Sequence, residues 1–278
     1  MNYSPKKLKS MNEKHDFSFK KKFGQNFIVD ENIINKIVRE SKIDKNSFVI
    51  EVGPGSGALT YKLAENAKNV LCYEIDEDLK KILDDNLRYF DNVDIIYNDF
   101  LKANVSNDIS KYKFNSLYLI ANLPYYITTP IIVKMIEEKI EVDDILIMVQ
   151  KEVGDRFKAK PGSKNYGSLS VFLNYYFNVS KVMDVSRTVF LPTPNVDSIV
   201  VSLSPKKEKF DLEDEQLFFK LVKDSFKQKR KTIKNNLKEY DLEVVEKVLN
   251  KFDYDLSVRA EKLSIEIFVE LSNELHKK

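Results

Sequence analysis

The sequence predicts an α/β fold: a parallel sheet wound with helices on both faces, followed by a small all-helical unit. Three observations predict it. Short apolar runs of strand length alternate with stretches whose apolar residues recur at helical spacing. The first clear strand runs into a glycine-rich loop and then a helix. After residue 204 the strand pattern stops and only helical spacing remains.

Taken in order, residues 1–22 carry Lys6, Lys7, Lys9, Lys14, Lys20, Lys21 and Lys22 against Glu13 and Asp16. Without periodic apolar residues they read as a mobile basic arm. An aromatic and amide cluster follows, Phe23 to Ile28. It is either a hydrophobic lead-in or, through Asn26 and the backbone beside it, a cover over a ligand. Asp30 is placed to cap a helix carrying Ile33, Ile34, Ile37 and Val38.

Phe48 to Val52 reads as a strand, and Gly53, Pro54, Gly55, Ser56 and Gly57 follow it. Three of the chain's seven glycines fall in these five residues. Glycine accepts positive φ and lets backbone approach a ligand, so strand, loop and helix together form a nucleotide-type cradle. The third glycine of the dinucleotide fingerprint is missing at its usual offset. Glu51, just before the loop, would repel a pyrophosphate but attract an amino group. S-adenosylmethionine suits this loop better than NAD.

The strand Val70–Ile75 carries Glu74, which can accept from both hydroxyls of a ribose. The strand Val93–Tyr97 leads to Asp99, a turn residue by itself and, third in the series, an acceptor for an adenine amine. The strand 117–121 ends in Asn122, Leu123, Pro124, Tyr125 and Tyr126. Pro124 lacks a backbone N–H and biases Leu123 toward extended angles, so the strand opens into a loop with exposed carbonyls. An amide, bare carbonyls and an aromatic ring suit a planar base with an exocyclic amine; a strand-ending turn with a core tyrosine is the plainer reading.

A helix over Thr129–Lys139, a strand Ile145–Gln150 and a helix from Lys151 continue the alternation. Ser168 to Val185, rich in Val, Phe and Tyr, is expected as a longer strand. The stretch Phe190 to Ser198 holds Pro192 and Pro194, which stiffen a loop that presents Phe190 as a second stacking face or buries it in the core. The strand Ile199–Leu203 closes the sheet as an antiparallel hairpin, and residues 204–209 read as a linker. Helices are expected over 213–227, 229–239, 242–251 and 264–276. If the first two are continuous, Lys223, Lys227, Lys231, Lys234 and Lys238 share an arc of about 80°.

The domain reading is therefore a basic arm over 1–22, an α/β domain over 23–204 and a helical domain over 210–278. Net charge is only +2 over 278 residues, so positive charge matters by its placement. Basic patches at the N-terminus and around residues 223–238 suggest a partner with concentrated negative charge such as nucleic acid, or else solvated lysine faces. One cysteine and two histidines exclude a disulfide framework and a zinc cluster and fit a cytoplasmic setting. No run approaches the roughly eighteen apolar residues of a membrane span. The expectation is a protein with no membrane and no metal partner, acting as a monomer.

Nine ordered blocks then carry a resemblance: FGQNFI at Phe23–Ile28, EVGPGSGALT at Glu51–Thr60, EID at Glu74–Asp76, NLPYY at Asn122–Tyr126, QKEVGDR at Gln150–Arg156, YGSLSV at Tyr166–Val171, FLPTPNVDS at Phe190–Ser198, KRKTIKNNL at Lys229–Leu237 and RAEKLS at Arg259–Ser264. Over nearly its whole length the chain resembles the KsgA family of small-subunit ribosomal RNA adenine dimethyltransferases. The resemblance implies a class I (Rossmann-like) methyltransferase domain with a small helical C-terminal domain. It implies dimethylation of two adjacent adenines in the 3′-terminal hairpin of small-subunit (16S) rRNA, within a ribosomal small-subunit precursor. Cofactor contacts carry over to Asn26, Ile28, Gly53, Glu74, Asp99 and Asn122. The reacting base falls to Asn122, Leu123, Pro124, Tyr125 and Phe190, and the RNA backbone to Lys223, Lys227, Arg230, Lys231 and Lys234. Asn98, Phe100 and Tyr126 depart from the family pattern without removing a side chain the chemistry needs. The other readings are a large-subunit rRNA adenine methyltransferase of the antibiotic-resistance type, a non-catalytic RNA-binding assembly factor and a DNA adenine methyltransferase. Leu123, standing where a DNA enzyme usually has a first proline, speaks against the last.

Overall fold

A computed structural model describes residues 5–20, 23–124, 127–208 and 210–277. The chain forms two compact units, Met1–Lys151 with Ser180–Ser204 and Glu152–Val179 with Pro205–Lys278.

In chain order the first stretch gives α1 (Pro5–Lys14), β1 (Phe27–Ile28), α2 (Glu31–Ser41), β2 (Ser47–Val52), α3 (Ala58–Asn66), β3 (Asn69–Glu74), α4 (Lys80–Leu87), β4 (Val93–Tyr97), α5 (Val105–Ile109), β5 (Ser116–Asn122), α6 (Thr128–Glu137) and β6 (Asp144–Gln150). Then come α7 (Lys151–Phe157), α8 (Ser168–Tyr176), β7 (Phe177–Val185), β8 (Phe190–Leu191) and β9 (Ser198–Pro205). The chain ends with α9 (Glu215–Ser225), α10 (Ile233–Asn236), α11 (Leu242–Asn250) and α12 (Ile265–His276).

The main sheet has the order β4-β3-β2-β5-β6-β9-β7. β2, β3, β4, β5 and β6 pair parallel, and β9 runs antiparallel to β6. Every residue of β2 is buried, as expected of a central strand covered on both faces. From β2 the chain first builds outward through β3 and β4 and then returns to the other side of β2 as β5. That reversal opens a crevice at the carboxyl ends of β2 and β5, where the glycine loop and Asn122 stand. Local chemistry fixes the flanking helices. Asp30 caps α2 by accepting from the Asn32 N–H at 2.9 Å, and its buried stripe Ile34, Ile37 and Val38 joins Leu59, Leu63 and Val70 in one core cluster.

Four expectations are corrected. Residues 5–20 are not a free arm: α1 forms, Phe17 is buried, and Lys14 and His15 meet Asp85 at 2.5 and 3.0 Å. Residues 168–176 are a helix, not a strand. Their aromatic content favoured a strand, but the Ser170 hydroxyl accepts from the Gly167 N–H at 3.2 Å and donates to the Arg156 carbonyl at 2.7 Å, which sets a helix start. Residues 152–179 also belong to the second unit, where Ala159, Tyr166 and Val171 share a core with Phe218, Leu249 and Phe268. The boundary at residue 204 had left them in the first.

The fourth correction concerns the lysine stripe. α9 stops at Ser225 and α10 spans four residues, so no continuous helix carries Lys223 to Lys238. Asn236 holds the break. Its side chain accepts from the Gln228 N–H at 3.2 Å and donates to the Ser225 and Gln228 carbonyls at 2.7 and 3.2 Å. Lys223, Lys227, Arg230, Lys231 and Lys234 are all exposed, but on a helix, a turn and a short helix in succession.

Candidate active site

The lining of a cleft at the carboxyl ends of the first unit's strands includes residues 23–28, the glycine loop with Glu51, Glu74 with Ile75, residues 98–101, Asn122–Pro124 and Ile127. Asn26, Ile28, Gly53, Glu74, Asp99, Asn122, Leu123 and Pro124, far apart in the sequence, are all in this lining. Tyr125 lies outside the described residues, as does Tyr126.

The glycine loop makes the floor. Gly53 and Gly55 have φ of +72° and +58°. Nothing stands within 4 Å of a Cβ built on Gly53, so that backbone faces open space. Gly55 is the reverse: a Cβ there would meet the Phe27 ring at 2.9 Å, so only glycine lets strand β1 close on the loop.

Three carboxylates follow from strand ends. Glu51 is 1 % exposed, and burial pushes its carboxyl up to about 8, only partly opposed by the Thr60 hydroxyl and the Cys72 thiol, the latter donating to it at 3.7 Å. Glu74 is raised to about 7, again by burial, against the pull of N–H groups from Asp76 at 2.9 Å and Gly55 at 3.2 Å. Each Glu74 oxygen takes one of these bonds and keeps acceptor capacity toward the cleft. Asp99 accepts from the Leu101 N–H at 3.0 Å, which fixes its carboxylate at the cleft margin.

Asn122 is half-buried at the end of β5. Its Nδ2 donates to the Asn26 carbonyl at 3.0 Å, which turns Oδ1 to the other side as an acceptor. The Pro124 carbonyl accepts from the Ile127 N–H at 3.1 Å, so the turn occupies one of its lone pairs. Leu123 is buried to 2 % and holds the loop down.

Phe190 is a correction. It does not line the cleft; the ring is 2 % exposed and belongs to the core cluster with Ile28, Ile34 and Val200. β8 pairs it with Ile28 of β1, so the proline-rich loop anchors β1 and offers no open ring face. Sequence reasoning missed two features. Ile75 is 47 % exposed yet lines the cleft beside Glu74, signalled only as an apolar residue at a strand end. Gln25 and Asp76 are bonded at 2.7 Å, and each was visible only as a member of its block.

These residues fit S-adenosylmethionine. A buried acid beside the loop suits an ammonium, open glycine backbone suits close approach, and Glu74 retains acceptors for two hydroxyls.

Comparison with known proteins places this geometry. Residues 16–277 match the family model described as ribosomal RNA adenine dimethylase. The chain is 48% identical to a ribosomal RNA small subunit methyltransferase A of Bacillus cytotoxicus, over 98% of this chain and 96% of that protein. It is 47% identical to the protein of the same name from Bacillus mycoides, with the same coverage. Among solved structures it is similar to a dimethyladenosine transferase from Plasmodium falciparum, with TM-score 0.77, 27% identity and coverage of 90% of this chain and 98% of that one. It is also similar to the 23S rRNA methyltransferase ErmE, with TM-score 0.70, 26% identity and coverage of 90% and 100%.

Proposed function

Because the chain belongs to the ribosomal RNA adenine dimethylase family, we propose that it dimethylates the exocyclic amines of two adjacent adenines in the 3′-terminal hairpin of small-subunit rRNA. The observation that carries this reading is the fixed Asn122 amide, whose Oδ1 faces a cleft already supplied with carboxylates for a nucleoside cofactor.

S-adenosylmethionine supplies a methyl group on a sulfonium, an electrophile that needs only a nucleophile in line. The chain's own residues prepare that nucleophile. An adenine amine is a weak one, since its lone pair is delocalised into the ring. Asn122 Oδ1 and the Leu123 carbonyl, accepting from the two N–H groups, favour a pyramidal nitrogen with its lone pair turned toward the methyl. Catalysis is then positioning and electrostatics: the amine nitrogen, strongly acidic once methylated, gives up its proton to solvent, with no strong general base required. The base must first leave its stack, at a cost of a few kcal/mol. Tyr125, next in the chain, supplies a stacking ring in this reading, worth about 1–3 kcal/mol. Within the second unit, exposed Lys223, Lys227, Arg230, Lys231 and Lys234 hold phosphates. The substrate is the rRNA of a small-subunit precursor in the cytoplasm, and the enzyme acts as a monomer.

The test is to incubate the protein and methyl-labelled cofactor with unmodified small subunits, large subunits and DNA, then map the label. Two dimethylated adenines near the 3′ end of small-subunit rRNA are expected. Label confined to large subunits would support the second reading, which the similarity to ErmE keeps in view, and would overturn the first.

A further inference from the structure

Residues 25, 26 and 27 tie one short segment to three separate cleft elements. The Gln25 amide Nε2 donates to Asp76 Oδ2 at 2.7 Å, beside Glu74. The Asn26 carbonyl accepts from Asn122 Nδ2 at 3.0 Å. The Phe27 ring rests where Gly55 would otherwise carry a Cβ. Gln25 is held from both ends, because its Oε1 accepts from the Lys20 N–H at 2.8 Å. Asp76 is 2 % exposed; its other oxygen takes the Lys20 ammonium at 2.6 Å, and Lys20 also reaches Asp78. The Asp76 backbone N–H in turn donates to Glu74 at 2.9 Å.

We propose that Gln25 is a positioning residue: its bond to Asp76 holds residues 24–27 against the cleft, so that the Asn26 carbonyl sets the Asn122 amide and one hydrogen bond couples cofactor binding to presentation of the base. Gln25 touches no reacting atom in this scheme. Both its acceptor and one donor are committed to Lys20 and Asp76, which leaves the side chain a strut. The buried carboxylate of Asp76 makes the strut selective, since a second carboxylate at position 25 would face it at the same distance. The coupling rests on the proposed role of Asn122, but the hydrogen bond is tested by cofactor binding alone.

The experiment measures binding of S-adenosylhomocysteine by calorimetry, and kcat at saturating cofactor, for wild type, Gln25→Ala, Gln25→Glu and the double variant Gln25→Glu/Asp76→Asn. In the double variant the amide introduced at position 76 can donate to the carboxylate introduced at position 25, restoring the bond with donor and acceptor exchanged. The amide oxygen at position 76 still accepts from the Asp78 N–H, as the Asp76 Oδ1 does in the wild type. Gln25→Ala is expected to bind about tenfold more weakly and to lose kcat as well. Gln25→Glu is expected to be worse than Gln25→Ala in both, and the double variant to return to within about threefold of wild type. The proposal is overturned if Gln25→Glu binds no more weakly than Gln25→Ala, or if the double variant recovers nothing. Neither result touches the substrate, which label mapping with the wild-type protein decides separately.

Discussion

The Cys72 thiol donates to the Glu51 carboxyl group across 3.7 Å, and both side chains are buried, Glu51 in the lining of the cleft. Burial raises the Glu51 carboxyl to about 8, so in the ligand-free protein it holds a proton at neutral pH. In the unfolded chain it ionises near 4.5. Its contribution to stability is therefore fully present below pH 4.5 and is lost as pH rises toward 8, and Glu74, raised to about 7, acts in the same direction.

Glu51→Gln should therefore flatten the fall in ligand-free stability with pH. At pH 8 the variant should exceed wild type by an amount on the order of a few kcal/mol, while near pH 4.5 the two should converge. Thermal melts across that range decide it; parallel curves would mean that Glu51 holds no proton. Cofactor binding supplies the complementary measurement. An ammonium seated beside Glu51 favours the carboxylate, so wild type should release a proton on binding at pH 7, read by calorimetry in buffers of different ionisation enthalpy. Glu51→Gln should release less and bind more weakly.

Gly55→Ala and Gly53→Ala separate backbone strain from steric conflict. Both positions have positive φ, which costs an alanine about 1–3 kcal/mol. Only at position 55 does the new methyl also meet an aromatic ring, Phe27, at 2.9 Å. Gly55→Ala should lower Tm more than Gly53→Ala and displace β1, seen as faster amide exchange at Phe27 and Ile28. Equal losses in the two variants would remove the ring contact from the account.

The contrast between these two glycines shows how far sequence reasoning reaches. The loop, the strands that feed it and the Asp30 cap were legible because each depends on neighbours within a few residues. That Gly53, Glu74, Asp99 and Asn122 would line one cleft was legible for a related reason: each stands at a strand's carboxyl end, and parallel pairing brings those ends to one edge. What stayed hidden depends on distant partners. Gln25 and Asp76 are 51 positions apart, and nothing in either block announces the bond. Phe190 in its proline-rich loop could be read as a stacking face or as a core residue, and only its pairing with Ile28 puts it in the core. The lysine stripe was a sound inference from spacing that failed on a single side chain, Asn236, which replaces backbone bonds and breaks the helix.

The fixed Asn122 amide makes two substitutions informative. Asn122→Ala removes the acceptor and should cut methyl transfer by about 10²–10³-fold or more, the scale for losing a preorganised polar group at a reacting centre. Subunit binding should be largely kept. Asn122→Asp keeps an oxygen toward the base but loses the donor to the Asn26 carbonyl at 3.0 Å, setting two acceptors face to face. It should be nearly as inactive as Asn122→Ala and should also loosen residues 24–27 in hydrogen exchange. Transfer at the wild-type rate by either variant would sink the role given to this amide.

Exposed basic residues in the second unit predict a different signature. Lys227, Arg230 and Lys231 lie in and beside the turn that Asn236 holds, and all three are exposed. If they meet phosphates, replacing all three by alanine should weaken subunit binding and flatten its dependence on salt. Each lost contact should lower the slope of log affinity against log salt by about 0.7–0.9. Cofactor affinity in the absence of RNA should not change, because no residue of that turn lines the cleft. Asn236→Ala makes the companion variant: it keeps every positive charge but removes the amide that orders the turn. If placement of the charges matters as well as their number, this variant should lose subunit affinity while retaining the wild-type cofactor Kd, and its deficit should shrink in low salt, where long-range attraction tolerates imprecise placement. A triple alanine variant with unchanged salt slope would move the RNA interface away from this turn.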